Sequence, residues 1–175
     1  MGVQLIIVVE TNRKNKSDWM YIKTAIDHFY SYDRSEIKFS PVYMDSKNKY
    51  RDKNIENEIE KLIKTYSDAV KGNISKVIYC FDCDNYDTDS SDLQFIRNAE
   101  NYCRKKGFDF VWFCKDIERV FLNKKVSRNK KQEEAAKFIS KKMIQKVKTE
   151  NLSANTYRNA ASNVLSVLDK YLVRK

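Results

Sequence analysis

The sequence predicts an α/β protein in which helices flank a four-stranded, mainly parallel sheet. Short apolar segments rich in β-branched residues alternate with longer segments whose apolar residues recur every three or four positions. This alternation is the β-α-β-α-β-α-β order of a parallel sheet with crossover helices. The chain has 175 residues, of which 42% are hydrophobic. That is enough for one such core and too little for two full domains.

The first strand is predicted at Gln4–Val9, which is apolar on both faces, as expected of a strand covered by helices on either side. It ends at Glu10, and a polar, basic loop follows. Ser17 is then placed to cap a helix, since apolar residues recur at helical spacing over 19–29.

The second strand is predicted at Ile37–Met44 and contains Pro41, the only proline of the chain. Proline has no N–H to donate to a neighbouring strand, so this strand is expected at an edge of the sheet. A second amphipathic helix follows over 55–70. The third strand, Lys76–Phe81, runs directly into Asp82.

The third helix is predicted over 93–103, before Gly107, and the fourth strand at Phe108–Cys114. If the proline-bearing strand lies at an edge and the strand order, numbered along the chain, is 2-1-3-4, the first and third strands lie side by side in the middle of the sheet.

The last third of the chain is expected to form a basic helical extension, residues 123–175, after an α/β catalytic domain of residues 1–122. Helices are predicted over 132–147 and 154–172. Of the 34 basic and 24 acidic residues, 16 basic and 6 acidic lie within 115–175, which leaves 18 of each elsewhere. An excess of this kind favours a polyanionic partner, above all nucleic acid, although a solubilising lysine surface is an equally good interpretation.

Apolar runs in this sequence are far shorter than the roughly 20 residues that a membrane-spanning helix needs. The first residues also lack the positive start of a secretory signal. We therefore expect a cytoplasmic protein with no membrane partner. The four cysteines are expected to be reduced.

Acidic side chains follow two strands that the predicted order makes neighbours. Glu10 ends the first strand, and Asp82 and Asp84 follow the third. Ligands of open parallel sheets bind at the carboxyl ends of the strands, so these three side chains are expected to meet there. Converging carboxylates repel one another unless a cation lies between them, and oxygen ligands suit Mg²⁺ or Mn²⁺. Asp87, in the next loop, is a further candidate ligand.

An Asp-x-Asp pair also occurs in other classes of site. A calcium loop would need a glycine and a terminal glutamate that this segment lacks. Haloacid-dehalogenase-like phosphatases normally carry the pair on the first strand. A nucleotide-sugar transferase remains an alternative, as does ordinary turn chemistry at the end of a strand.

A strand ending in Glu10 and a later strand ending in Asp82-Cys83-Asp84 resemble the Toprim domain of topoisomerases, primases and the overcoming-lysogenization-defect nucleases. The compact size, the basic tail and the segment Val111–Glu118 are similar to stand-alone Toprim proteins of the RloB and abortive-infection type, which are associated with phage defence. The resemblance covers residues 1–122.

This resemblance implies a Mg²⁺- or Mn²⁺-dependent nuclease. Glu10 would act as general acid/base or metal ligand, and Asp82 and Asp84 as the metal-binding pair. Glu118 is a further candidate ligand for the ion. Lys115 is a candidate to stabilise charge in the transition state.

Basic residues near the predicted site are candidates for contacts with nucleic acid. Three precede the first helix, and five form the densest basic run of the chain. They are Arg13, Lys14, Lys16, Lys124, Lys125, Arg128, Lys130 and Lys131.

One departure from the Toprim pattern leaves a second hypothesis open. The family usually has glycine after the glutamate, where this chain has the β-branched Thr11. A degenerate Toprim module would bind nucleic acid or a partner ATPase without cleaving. A third possibility is a defence effector whose cleavage is restrained until another protein of the system or a phage signal arrives.

Overall fold

The computed structural model describes residues 1–175, which form six strands and seven helices. The strands are β1 (Val3–Val9), β2 (Tyr30–Ser31), β3 (Ile37–Tyr43), β4 (Ile74–Asp82), β5 (Asp109–Phe113) and β6 (Val173–Arg174). The helices are α1 (Ser17–Phe29), α2 (Lys53–Ala69), α3 (Ser90–Lys106), α4 (Ile117–Leu122), α5 (Lys131–Ser140), α6 (Thr149–Leu152) and α7 (Val164–Leu168). None of these helices has the combination of length and apolar character that crossing a bilayer requires.

The main sheet has the order β3-β1-β4-β5 and is parallel throughout, which confirms the predicted fold class and strand order. In β1, Val3 pairs with Ile37 of β3 on one side and with Ile74 of β4 on the other. Pro41 lies in the edge strand, as its missing N–H requires. The carboxyl ends of β1 and β4 are therefore adjacent.

Alternating side chains of β1 pack into two separate hydrophobic cores, one on each face of the sheet. Leu5 and Ile7 pack with α1 and with apolar residues of the last third of the chain. Ile6 and Val8 face the side covered by α2 and α3. Every residue of 5–9 is at most 1% exposed, so both faces of this strand are covered. All four cysteines are buried and unlinked.

The last third of the chain is less helical than its apolar spacing predicts. The helix expected over 132–147 ends at Ser140. Two residues later, Lys142 has a left-handed backbone with φ of 50°, and a 3₁₀ turn follows. The helix expected over 154–172 is wrong, because only Val164–Leu168 is helical there.

The outer edge of β5 explains this difference. Ala161 accepts a backbone hydrogen bond from the N–H of Cys114 at 2.9 Å. The side-chain amide of Asn163 accepts from the N–H of Trp112 and donates to the carbonyl of Phe110, both at 3.0 Å. These hydrogen bonds satisfy N–H and C=O groups on the free edge of β5, which a helix at this place would leave without partners.

Two further details were not expected. The short strands β2 and β6 pair antiparallel, which ties the end of α1 to residues 173–174. Ser17 does not cap α1: its hydroxyl oxygen is buried without a hydrogen-bond partner, and its N–H donates to the side chain of Asn15 at 3.3 Å.

Candidate functional site

A polar cleft of about 530 Å³ opens at the carboxyl ends of β1 and β4. The sheet positions it, since the loops after β1, β3 and β4 all begin at this end of the sheet. Segment 126–131 adds one wall from the last third of the chain. The lining residues are Glu10, Thr11, Asn12, Asn15, Asp18, Asp45, Ser46, Lys47, Asn48, Asp82, Asp84, Val126, Arg128 and Lys131. The three acidic residues singled out in the sequence thus share one cleft.

Glu10 and Asp82 are joined through the backbone. The Oε1 atom of Glu10 accepts a hydrogen bond from the N–H of Asp82 at 2.8 Å. Asp82, which is 8% exposed, accepts from the N–H of Ile117 through Oδ1 at 2.9 Å. One oxygen of each carboxylate is therefore used to hold the ends of β1, β4 and α4 together.

Asp84 has different partners from Asp82. Its φ of 49° is left-handed, so the extended backbone of β4 does not continue to this residue. Its side chain forms an ion pair with Lys47, whose Nζ atom also lies 3.8 Å from Asp92. Residues two apart on an unbroken strand point the same way, but β4 ends at Asp82, so this rule does not extend to Asp84.

Asp18 belongs to the same cleft, although the sequence did not single it out. It lies in the first turn of α1 and is 6% exposed. Its Oδ2 atom accepts from the N–H of Thr11 at 3.1 Å, while its Oδ1 atom is buried without a partner. The position of Asp18 in the chain could have indicated it, because a helix that follows β1 begins at the same end of the sheet as Glu10. Thr11 itself has no left-handed backbone, so glycine is not required at this position.

Crowding of these carboxyl groups raises their pKa values. Burial and then the charge of Asp18 raise the pKa of Glu10 from 4.5 to about 8, while Lys47 acts in the opposite direction. Burial, Glu10 and Asp18 raise the pKa of Asp82 well above its ordinary value. Burial also raises the pKa of Asp18. Near pH 7 the cluster therefore retains protons that isolated carboxyl groups would have lost.

The buried carboxylate of Glu118 forms an ion pair with Lys131, which is partly exposed and lines the cleft. Their Oε2 and Nζ atoms are 3.3 Å apart, and Glu118 is 1% exposed. Burial raises the pKa of Glu118 to about 7, although Lys131 opposes this shift. Burial lowers the pKa of Lys131, but Glu118, Asp82 and Asp18 outweigh it and raise the pKa above its ordinary value. Lys131 is thus the counter-ion of this part of the cluster rather than a solvated surface charge.

The remaining predicted site residues lie outside the cleft, except Arg128. Lys115 pairs with Asp87 at 3.4 Å. Arg13 pairs with an acidic residue of α2 and Lys124 with one of α5, each at 2.6 Å. The other predicted nucleic-acid contacts are exposed and form no ion pair: Lys14, Lys16, Lys125 and Lys130.

A divalent cation fits the donor chemistry of the cleft, but through fewer carboxylates than the sequence predicted. No three His, Cys, Asp or Glu side chains are arranged to hold one metal ion together. Mg²⁺ is nevertheless often bound by one or two carboxylates, with water and phosphate oxygens completing its shell. The donors here are all oxygen, and the buried Oδ1 atom of Asp18 has no partner. This set suits an ion held by two carboxylates.

The chain matches no protein-family model, and no curated protein is significantly similar to it.

Proposed function

We propose that this protein is a Toprim-like, cytoplasmic nuclease that uses Mg²⁺ or Mn²⁺ to hydrolyse phosphodiester bonds of DNA or RNA, as an effector of phage defence. One observation carries the proposal: Glu10, Asp82 and Asp84 line a single cleft at the carboxyl ends of two adjacent parallel strands. Ligands of such sheets bind in this place. Two carboxylates, Asp82 with Asp18 or Asp84, would hold the ion, which would polarise the phosphate and lower the pKa of a bound water.

Glu10 is the residue best suited to move a proton. With a pKa of about 8 it exchanges a proton near neutral pH, as a general acid or base must. Its hydrogen bond from the N–H of Asp82 fixes one oxygen and leaves the other free for a water molecule. Asp18 lies close enough to raise this pKa, so it tunes the proton transfer.

Two cationic side chains of the cleft would bind the phosphate, and a third would stay with a buried carboxylate. Lys47 holds Asp84 and lies near Glu10, so it can exchange one anionic partner for a substrate oxygen. Arg128 is exposed on the wall formed by segment 126–131 and forms no ion pair. Lys131 keeps the buried Glu118 compensated while the substrate binds.

Cleavage assays with the full-length protein test this function. Supercoiled plasmid, single-stranded DNA and RNA are incubated with Mg²⁺, Mn²⁺ or EDTA. The variants Glu10→Gln and Asp82→Asn keep an amide oxygen that can accept the existing hydrogen bonds, so they are expected to fold. We expect metal-dependent cleavage that each substitution lowers at least 100-fold.

Matched controls are Glu60→Gln and Asp68→Asn, two exposed residues of α2 that lie outside the cleft. Both controls should cleave like the unmodified protein. Full activity in Glu10→Gln and Asp82→Asn after stringent metal control would overturn the nuclease assignment.

A second candidate function is nucleic-acid or partner-ATPase binding without cleavage. The observation that favours it is the pairing of Lys47 with Asp84, together with the absence of three carboxylates around one point. An internal ammonium group can take the place of a metal ion in such a cluster.

Metal binding separates the two candidates. Isothermal titration with Mn²⁺ should show a site that Asp82→Asn weakens if the protein is a metal-dependent nuclease. A binding module should retain nucleic acid in EDTA, bind no Mn²⁺ in this cleft and cleave nothing. A restrained effector would bind Mn²⁺ and cleave only after a partner protein is added.

A further inference from the structure

A second cavity, of about 660 Å³, lies along the open edge of β3 and shares no residue with the catalytic cleft. We call it the edge groove. Four aromatic and two unpaired basic side chains characterise its lining: Trp19, Tyr32, Phe39, Tyr66, Arg34 and Lys38.

Aromatic rings occupy both sides of the edge groove. Phe39, on β3, packs against Trp19 of α1 and Tyr32, with ring centroids 6.4 Å and 5.1 Å apart. Tyr66 comes from α2 on the other side, where the ammonium group of Lys38 lies 5.5 Å from its ring centroid. All four rings line the groove and are partly exposed, so part of each ring surface is open to a ligand. Bases of a single strand stack on faces of this kind.

The charge of the edge groove is positive. Arg34 and Lys38 are exposed and form no ion pair, and no acidic residue belongs to the lining. Lys23, the third basic residue, is already paired with Asp27. Two uncompensated cations beside aromatic faces are complementary to a chain of phosphates and bases.

A protein strand is a poor alternative occupant. Pro41 lies on β3 beside the groove and has no N–H to donate to an added strand. Lys38 is a charge on the edge strand, which also blocks strand addition. A nucleic-acid duplex is equally unsuited, because its bases are stacked on one another and cannot reach the rings.

We propose that the edge groove binds single-stranded DNA or RNA and leads it to the catalytic cleft. From Pro41 in the groove to Asp45 in the cleft the chain advances four residues, at most about 13 Å in extended form. The inference rests on the proposed function, because it names single strands as the substrate form. Its test does not depend on cleavage.

Intrinsic fluorescence provides the test. The chain has two tryptophans, and Trp112 is 6% exposed, away from the groove. In the full-length Trp112→Phe protein, Trp19 is the only tryptophan and reports directly on the groove. Titration with a 15-nucleotide oligothymidylate in EDTA should quench its emission, and the same sequence in a duplex should not.

Variants of exposed residues keep the test independent of folding. The double substitution Arg34→Gln/Lys38→Gln should weaken binding at least tenfold and lower the slope of log K against log salt by about 1.4, the value for two lost phosphate contacts to a single strand. Tyr66→Leu should weaken it about tenfold through lost stacking. The control is Lys125→Gln/Lys130→Gln, which removes two unpaired lysines outside the groove.

Each outcome decides the question. If Arg34→Gln/Lys38→Gln binds like the unmodified protein, or if only the lysine control loses affinity, the edge groove is not the binding site. Quenching by a peptide but not by the oligonucleotide would also overturn the proposal. Oligonucleotide binding with no cleavage after Mg²⁺ or Mn²⁺ is added would contradict the nuclease function and support the edge groove as a binding site. Cleavage that the groove variants leave unchanged would support the nuclease function and overturn the edge groove.

Discussion

The raised pKa of Glu10 predicts a specific dependence of stability on pH. Glu10 titrates at 4.5 in the unfolded chain and at about 8 in the folded protein. A raised folded pKa means that its contribution to stability is fully present below pH 4.5 and is lost as the pH rises through 8. Between pH 5 and pH 9 the folded state should lose about 4 kcal/mol through this one group, since one pKa unit is worth about 1.4 kcal/mol.

The matched variant is Glu10→Gln, which cannot ionise but keeps an oxygen for the N–H of Asp82. Asp18, Asp82 and Glu118 also have raised pKa values. Both proteins retain those three groups, so the difference between their pH profiles reports the ionisation of Glu10 together with its effect on the pKa of Asp82. Urea unfolding followed by circular dichroism at pH 5, 7 and 9 measures the two profiles.

We expect the free energy of unfolding of Glu10→Gln to fall about 4 kcal/mol less over this range than that of the unmodified protein. Typical total stabilities are about 5–15 kcal/mol, so the effect is large enough to measure. Parallel profiles, within 1 kcal/mol of each other at all three pH values, would refute the electrostatic account of the cleft. Added Mg²⁺ should flatten the profile of the unmodified protein, because a bound cation favours the ionised carboxylate.

Three further substitutions test other parts of the structure by urea unfolding. Lys131→Met leaves the buried Glu118 without its counter-ion and should lower the free energy of unfolding by about 3–5 kcal/mol at pH 8. The double variant Lys131→Met/Glu118→Gln should recover most of this loss. Equal losses in the single and double variants would contradict the pairing. Asn163→Ala removes two hydrogen bonds from the edge of β5 and should cost about 2 kcal/mol, whereas no loss would mean that water replaces the amide. Ala160→Gly should stabilise by about 1 kcal/mol, because φ is 55° there, and destabilisation would contradict that backbone geometry.

The sheet could be predicted from the sequence because its two central strands, β1 and β4, contain short apolar segments that are buried in the fold. Pro41 indicated which strand lies at an edge of the sheet, since proline has no N–H to donate to a second neighbouring strand. The last third was harder to predict. Its apolar residues between 154 and 172 have helical spacing, yet Ala161 and Asn163 gain more by pairing with the open edge of β5. Such long-range pairing leaves no periodic signal.

The candidate site was predictable where chemistry follows directly from a strand end, as it does for Glu10 and Asp82. Lys47 and Asp18 were not found, because each looks like an ordinary polar residue of a loop or a first helical turn. The direction of Asp84 depended on one left-handed residue, and any non-glycine residue in that conformation is difficult to foresee. Lys131 looked like part of a basic run until the fold placed it against Glu118.

The position of Lys131 in the chain affects how the protein can mature on the ribosome. All four strands of the main sheet are synthesised before this lysine, whose ammonium group lies against Glu118. While α5 is still inside the exit tunnel, a nascent sheet would hold Glu118 without the ammonium group that balances its charge. We therefore expect the amino-terminal two thirds to stay loosely packed during translation and to consolidate only when the remaining segment emerges.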